Sequence, residues 1–146
     1  MSTVLFVGGG RHQRRAIKRV QELGHRVVSV DRNPDALGLR AADVGELVDF
    51  TDVEGVIEVG RRHEVEGVLT VAADRAVPVV AAVAEALELP GIGLETAQRM
   101  THKLEMRRVF AEADLDEPAA SIRDRGLIQP ILVRPMQGTM DQYEII

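Results

Sequence analysis

Over the first ninety residues, short apolar runs alternate with amphipathic stretches of about three helical turns, and glycine or Asn-Pro punctuates the joins. Val4-Leu5-Phe6-Val7 is a β-type run that ends at Gly8-Gly9-Gly10. The spacing then predicts a helix over about Gln13 to Leu23, with Ala16, Ile17, Val20 and Leu23 on one face. Arg14, Arg15, Lys18, Arg19 and Glu22 occupy the remainder, and Gly24 supplies a left-handed stop. Val27 to Val30 reads as a second strand, ended by Asp31 and the turn-rich Asn33-Pro34-Asp35. Leu47 to Phe50 reads as a third, followed by a helix whose capping box would be Thr51 and Glu54. Gly67 to Val71 is the fourth. Asp74 stands where a helix N-cap would, Pro78 fits the first turn, and Val79, Val80, Val83, Ala84 and Leu87 form the buried face.

Strands that alternate with helices pair in parallel through right-handed crossovers, and both sheet faces are then covered. The expected fold is therefore α/β, a Rossmann-like open parallel sheet over residues 1–95, followed by an incomplete α+β stub over 96–146. Such sheets bind ligands beyond the carboxyl ends of their strands. That rule picks out the loops Gly8 to Gln13, Asp31 to Pro34 and Ala72 to Arg75, with Gly8, Gly9, Gly10, Arg11, Asp31 and Asp74 as candidate substrate-binding residues. After Leu89-Pro90-Gly91-Ile92-Gly93 the pattern changes. A short helix from about Leu94 to Met100 is expected, then a second after Thr101 with Leu104, Val109, Phe110 and Ala113 on its buried side, ended by Pro118. Ala119 to Ile122 and Ile131 to Val133 read as strands, and residues 138–146 have no unit to complete.

Composition removes several classes. The chain has 146 residues, 45% hydrophobic and 28% charged, enough for one well-buried core. A net charge of −5, with three Phe, one Tyr and no Trp, argues against nucleic-acid binding. Without cysteine there is neither disulfide nor thiolate chemistry. No secretory signal or membrane-length apolar run is visible, so a cytoplasmic location without membrane association is expected. His12, His25, His63 and His102 lack ligand-like spacing, and no metal site or catalytic residue is assigned.

Gly8-Gly9-Gly10-Arg11-His12-Gln13 invites a dinucleotide reading, because amides at a helix start attract phosphate, and Asp31 stands where a ribose-binding acid would. Gln13 occupies the third glycine position, however, so an NAD(P) site is an alternative only. Arg11, Arg14, Arg15, Lys18 and Arg19 read as the solvated face of the first helix, with Arg11 free to meet a small anion. Asp49 and Asp52 read as a strand end and a helix start. Lys103 stands out because only it and Lys18, among 18 basic residues, are lysine.

Thr101-His102-Lys103-Leu104-Glu105-Met106-Arg107-Arg108, then Ala111 to Leu115 and Pro118, resembles the segment that opens the nucleotide-binding lobe of ATP-grasp ligases. The glycine turn, Asp31 to Pro34, Ala42-Asp43, Thr51-Asp52 and Leu89-Pro90-Gly91 resemble the pre-ATP-grasp domain of that superfamily, so the likeness runs over about residues 3 to 118. Ile131 to Pro135 resembles a following ATP-contacting strand, with Arg134 similar to the carbamoyl-phosphate synthase large subunit. The resemblance implies that Lys103 and Arg134 contact ATP and that the glycine turn forms the acceptor-substrate side. It implies an ADP-forming reaction in which Mg²⁺-ATP activates a small carboxylate or bicarbonate as an acyl phosphate. The sequence departs from the pattern at His102, where the family has an acid, and at Met136 to Met140, where it has a glycine-rich loop. The Mg²⁺ carboxylates have no counterpart. The expectation is thus a truncated or split ligase, inactive alone, working with a complementary ATP-grasp chain. A non-catalytic ligand-binding or dimerising remnant, forming a homodimer, is the alternative.

Overall fold

A computed structural model describes residues 1–112, 133–135 and 143–145. It divides into two compact units, Met1–Met106 and Arg107–Ile146. The first contains strands β1 (Thr3–Val7), β2 (Arg26–Val30), β3 (Val44–Glu46) and β4 (Gly67–Leu69), with helices α1 (Gln13–Glu22), α2 (Val53–Arg62), α3 (Val77–Ala86) and α4 (Leu94–Thr101). Helix α5 (Lys103–Glu112) begins in the first unit and ends in the second. The strands lie in the order β3-β2-β1-β4, all parallel. This is the open α/β sheet that the alternation of elements predicts.

The two-residue period of β1 decides which helix covers which face. Leu5 and Val7 join Val28 and Val30 of β2 under Val56 and Val59 of α2 and Val79 and Val83 of α3. Phe6 and Val27 face the other way and meet Ile17 of α1. Phe6, Ile17 and Val27 are fully buried, and each such side chain contributes about 1.5–3 kcal/mol. Leu23, expected on the buried side of α1, is 59% exposed, because it follows the last helical turn, where the chain reverses through Gly24 at φ 87°.

Several boundaries differ from the sequence reading. The third strand is Val44–Glu46 rather than Leu47 to Phe50, because register with β2 pairs Val28 with Val44 and Val30 with Glu46. The Val48 amide then turns back onto the Glu46 carbonyl at 3.0 Å and ends the strand. The cap of α2 is Asp52, whose Oδ1 accepts the Gly55 amide at 3.0 Å, while the Thr51 hydroxyl donates to Asp49. Asp74 does not cap α3; it opens a 3-10 turn, Asp74–Ala76, from which α3 continues with Pro78 in its first turn.

In α5, Leu104 is 68% exposed and Val109 37%, so neither lies on a buried side: apolar spacing marks a face, but burial needs an opposing surface. The Phe110 side chain and Ala113 lie outside the described residues, as do Ala119 to Ile122. In the second unit β5 (Val133–Pro135) pairs antiparallel with β6 (Tyr143–Ile145), so the terminal segment does complete an element, with Arg134 opposite Glu144. Only Val133 of the expected strand from Ile131 to Val133 lies within the described residues.

Candidate functional site

Three loops follow the carboxyl ends of β1, β2 and β4, and hydrogen bonds tie them into one rim. Gly8, at φ 95°, turns the chain out of β1 in a conformation that a side chain disfavours. The Gly9 amide donates to Asp31 Oδ2 at 2.9 Å, and Asp31 Oδ1 accepts the Asn33 amide at 2.9 Å. The Gly9 carbonyl accepts the Gly38 and Leu39 amides at 2.6 and 3.1 Å. A Cβ on Gly9 would stand 2.8 Å from the Leu39 nitrogen, so glycine is required by close backbone approach. On the other side, buried Gln13 donates from Nε2 to the Val71 carbonyl at 2.6 Å, and the Thr70 hydroxyl donates to the Val7 carbonyl at 2.8 Å. These two bonds stop β4 at Leu69, two residues before the expected end. Ala72 then adopts φ 53°, an uncommon left-handed conformation for alanine.

The rim therefore brings together Gly8, Gly9, Gly10 and Asp31, and Gly8, Gly9 and Asp31 shape it through backbone conformation and hydrogen bonds. Both Asp31 oxygens are occupied by backbone amides. What remains open is the start of α1, where the amides of Gly10, Arg11 and His12 find no acceptor among the described residues. Arg11 is exposed beside them, Arg14, Arg15 and Lys18 form no ion pair among the described residues, and α1 has no acid in its first turn. Amides and cations together make this end of the helix attractive to a small anion. Asp74 is exposed at the third loop.

Three carboxylates around the sheet sit below their ordinary pKa. Asp43 is lowered by the Val27 amide at 2.8 Å and then by Gln21. Glu46 is lowered first by its hydrogen bond to His63, and Asp49 first by the Thr51 amide. All three stabilise turns or edges, and Asp49 also pairs with Arg32 of the second rim loop at 3.6 Å.

Lys103 is exposed at the start of α5 and makes no hydrogen bond or ion pair with the rim. Near it, Pro78, Glu95, Gln98, Arg99, His102 and Glu105 line an open groove of about 650 Å³, in which Glu95 and Arg99 pair at 2.6 Å. Beside β4, the last strand of the described sheet, Leu69, Val80, Ala84, Pro90 and Ile92 line a smaller apolar hollow of about 310 Å³. No group of three His, Asp or Glu side chains among the described residues could hold a metal ion, and no described helix is long and apolar enough to cross a membrane.

Gln13, which breaks the glycine fingerprint and opens the first helix, is the clasp between the first and third loops. Its polarity amid an otherwise apolar helix face was the available signal. Ser29 is the one polar residue between Val27 and Val30 of β2. Its fully buried hydroxyl lies 3.0 Å from where a Gly9 Cβ would be and has no hydrogen-bond partner among the described residues.

Two family models match the chain. One, described as the ATP-grasp N-terminal domain, covers residues 18–91, half of the chain. The other, the ParB N-terminal domain, covers residues 91–146. The formate-dependent phosphoribosylglycinamide formyltransferase of Synechococcus sp. (strain CC9605) is 36% identical over 67 residues, 46% of this chain and 17% of that protein. The chromosome-partitioning protein ParB of Caulobacter vibrioides (strain NA1000 / CB15N) is 50% identical over 40 residues, 27% of this chain and 13% of that protein. The crystal structure of phosphoribosylglycinamide synthetase from Anaerococcus prevotii superposes with a TM-score of 0.69 at 21% identity, over 99% of this chain and 38% of that one. This chain thus spans less than a fifth of the curated relatives it matches.

Proposed function

We propose, from the premise that this chain belongs to the ATP-grasp N-terminal domain family, that its parallel-sheet unit is the acceptor-substrate side of an ADP-forming ligase. The supporting observation is the open start of α1. There the unbonded amides of Gly10, Arg11 and His12 and the exposed Arg11 side chain face solvent at the carboxyl end of the sheet. A small carboxylate, or an anionic group carried by the acceptor, is the ligand that such a loop orients. Gly9, Asp31 and Gln13 hold the loop without spending those amides.

In the reaction this reading implies, a carboxylate oxygen of the substrate attacks the γ-phosphorus of ATP and ADP leaves. A nucleophile such as an amine then attacks the acyl carbon, the carbon–oxygen bond to phosphate breaks, and inorganic phosphate departs. On this reading the unit's part is to bind and orient the acceptor, and phosphoryl transfer belongs to the nucleotide-binding side of the ligase. Lys103 and Arg134 are the residues through which the segment after the sheet would meet ATP.

A second reading of residues 91–146 is favoured by their match to the ParB N-terminal domain and by the 50% identity over 40 residues. On it, Lys103 and Arg134 belong to a module related to chromosome partitioning, joined to a ligase-type domain. Calorimetry with Mg-ATP separates the two. The ligase reading expects weak binding that disappears in Lys103→Ala, and the ParB reading expects Lys103→Ala to leave any nucleotide response unchanged. The acceptor-side reading has its own test: small carboxylates and phosphate should shift the Gly10, Arg11 and His12 amide resonances in the whole chain, and Arg11→Ala should weaken that response. Amides indifferent to millimolar anions would reject it.

A further inference from the structure

Glu46 ends β3 with its side chain held from one direction and its main chain used from the other. Its Oε1 lies 2.6 Å from His63 Nε2 and 3.0 Å from the Arg62 guanidinium, both at the C-terminal end of α2. Its carbonyl accepts the Asp31 amide at 3.3 Å, and the Asp31 carboxylate holds the Gly9 amide at 2.9 Å. A run of three contacts thus leads from His63 to the glycine turn. The strand it passes through has three residues and, among the described residues, pairs with β2 alone, so the side-chain clamp is a substantial part of what fixes that corner. The side chains of His63 and Glu46 are only 15% and 25% exposed, which limits solvent screening between them.

We propose that Glu46, His63 and Arg62 form a proton-operated latch: charging His63 draws the end of β3 onto α2 and tightens the hold of Asp31 on Gly9. The neutral ring donates one hydrogen bond to the carboxylate. The imidazolium keeps that bond and adds a coulombic attraction between opposite charges across 2.6 Å. Histidine is the side chain whose charge ordinarily changes between about pH 5 and 8. Glu46 from β3 and Arg62 from α2 are the charged groups that meet there. Arg62 shares the same oxygen, so it keeps the carboxylate in place when the ring is neutral, and the latch loosens without springing open. The mechanism does not depend on what the rim binds.

The test is nitrogen-resolved hydrogen exchange on the whole chain, corrected for the intrinsic effect of pH. Protection of the Gly9 and Asp31 amides should fall severalfold as pH rises, with the same midpoint as the His63 ring resonances. His63→Gln keeps a donor for Glu46 but cannot be charged, and its profile should be flat. Glu46→Gln, which keeps an acceptor, should be flat as well and serves if His63→Gln folds poorly. His12 is exposed in the same loop, so His12→Asn must retain the wild-type profile. A flat wild-type profile, an unchanged slope in both latch variants, or loss of the slope in His12→Asn would overturn the proposal.

Discussion

Asp31→Ala removes the acceptor of two backbone amides at once, since Gly9 and Asn33 each donate at 2.9 Å to a different carboxylate oxygen. The two losses are unequal. Gly9 is buried, so its orphaned N–H carries a desolvation penalty of about 1–3 kcal/mol, whereas exposed Asn33 is rehydrated and loses about 1 kcal/mol. Together they cost about 2–4 kcal/mol, a large share of the ~5–15 kcal/mol that stabilises a typical domain. The unit Met1–Met106 should unfold with an entropy near 0.2 kcal/mol/K at about 2.1 cal/mol/K per residue, so the midpoint should fall by about 9–18 °C. Thermal melts followed by far-UV circular dichroism measure the midpoint, and exchange at the Gly9 amide localises the effect. Asp31→Asn retains one carbonyl acceptor, sacrifices the exposed bond, and should cost only about 1 kcal/mol. An Asp31→Ala protein within about 0.5 kcal/mol of wild type, with Gly9 protection intact, would refute the view that this carboxylate is a structural clamp.

Asp52→Ala should destabilise by about 1 kcal/mol, since it deletes the bond from the Gly55 amide and with it the cap of α2; Thr51→Ala, outside the cap, should cost clearly less, and urea unfolding compares them. Acid should weaken the fold. Asp43 and Glu46 have folded pKa values below their unfolded ones, so their contribution is present above the ordinary carboxylate range and is lost as pH falls through the lowered values. Asp43→Asn should therefore lower the urea midpoint at neutral pH and make it less sensitive to acid, and equal acid sensitivity in the two proteins would count against the assignment.

Much of the first unit was legible because its strands lie at the centre of a sheet. Leu5, Phe6 and Val7 are apolar on both faces since helices cover both, and that signal survives without knowledge of partners. Edges are different. β3 is set by register with β2, and the residues it uses, Val44, Gly45 and Glu46, are less apolar than the run Leu47 to Phe50 that sequence favours. The rim was legible as three loops because strand ends follow from topology, but its wiring was not. Gln13 reaches a carbonyl 58 residues away and Asp31 an amide 22 residues back, and no local pattern encodes either contact. The exposure of Leu104 marks the same boundary: helical spacing is local, whereas the surface that would bury a stripe belongs to another part of a chain.

The two family models meet at Gly91, yet the packing does not divide there. Ala97 of α4 is fully buried, the Leu94 amide that opens α4 donates to Glu85 Oε1 of α3 at 2.7 Å, and a Cβ on Gly91 would stand 3.0 Å from that of Ala84. Helix α4 is thus a structural part of the sheet unit although the match to the ATP-grasp N-terminal domain stops before it. A chain ended after Gly91 should lose the burial of Ala97 and the partly buried Leu94, together about 2–4 kcal/mol at the usual ~25 cal/mol per Å². A chain ended after Met106 should keep it. Urea unfolding of the two decides the matter: equal midpoints would mean that α4 merely rests on α3 and that the family boundary is also the folding boundary. A lower midpoint for the shorter chain would mean that any module joined after the sheet must begin beyond α4, with Lys103 as its first exposed cation.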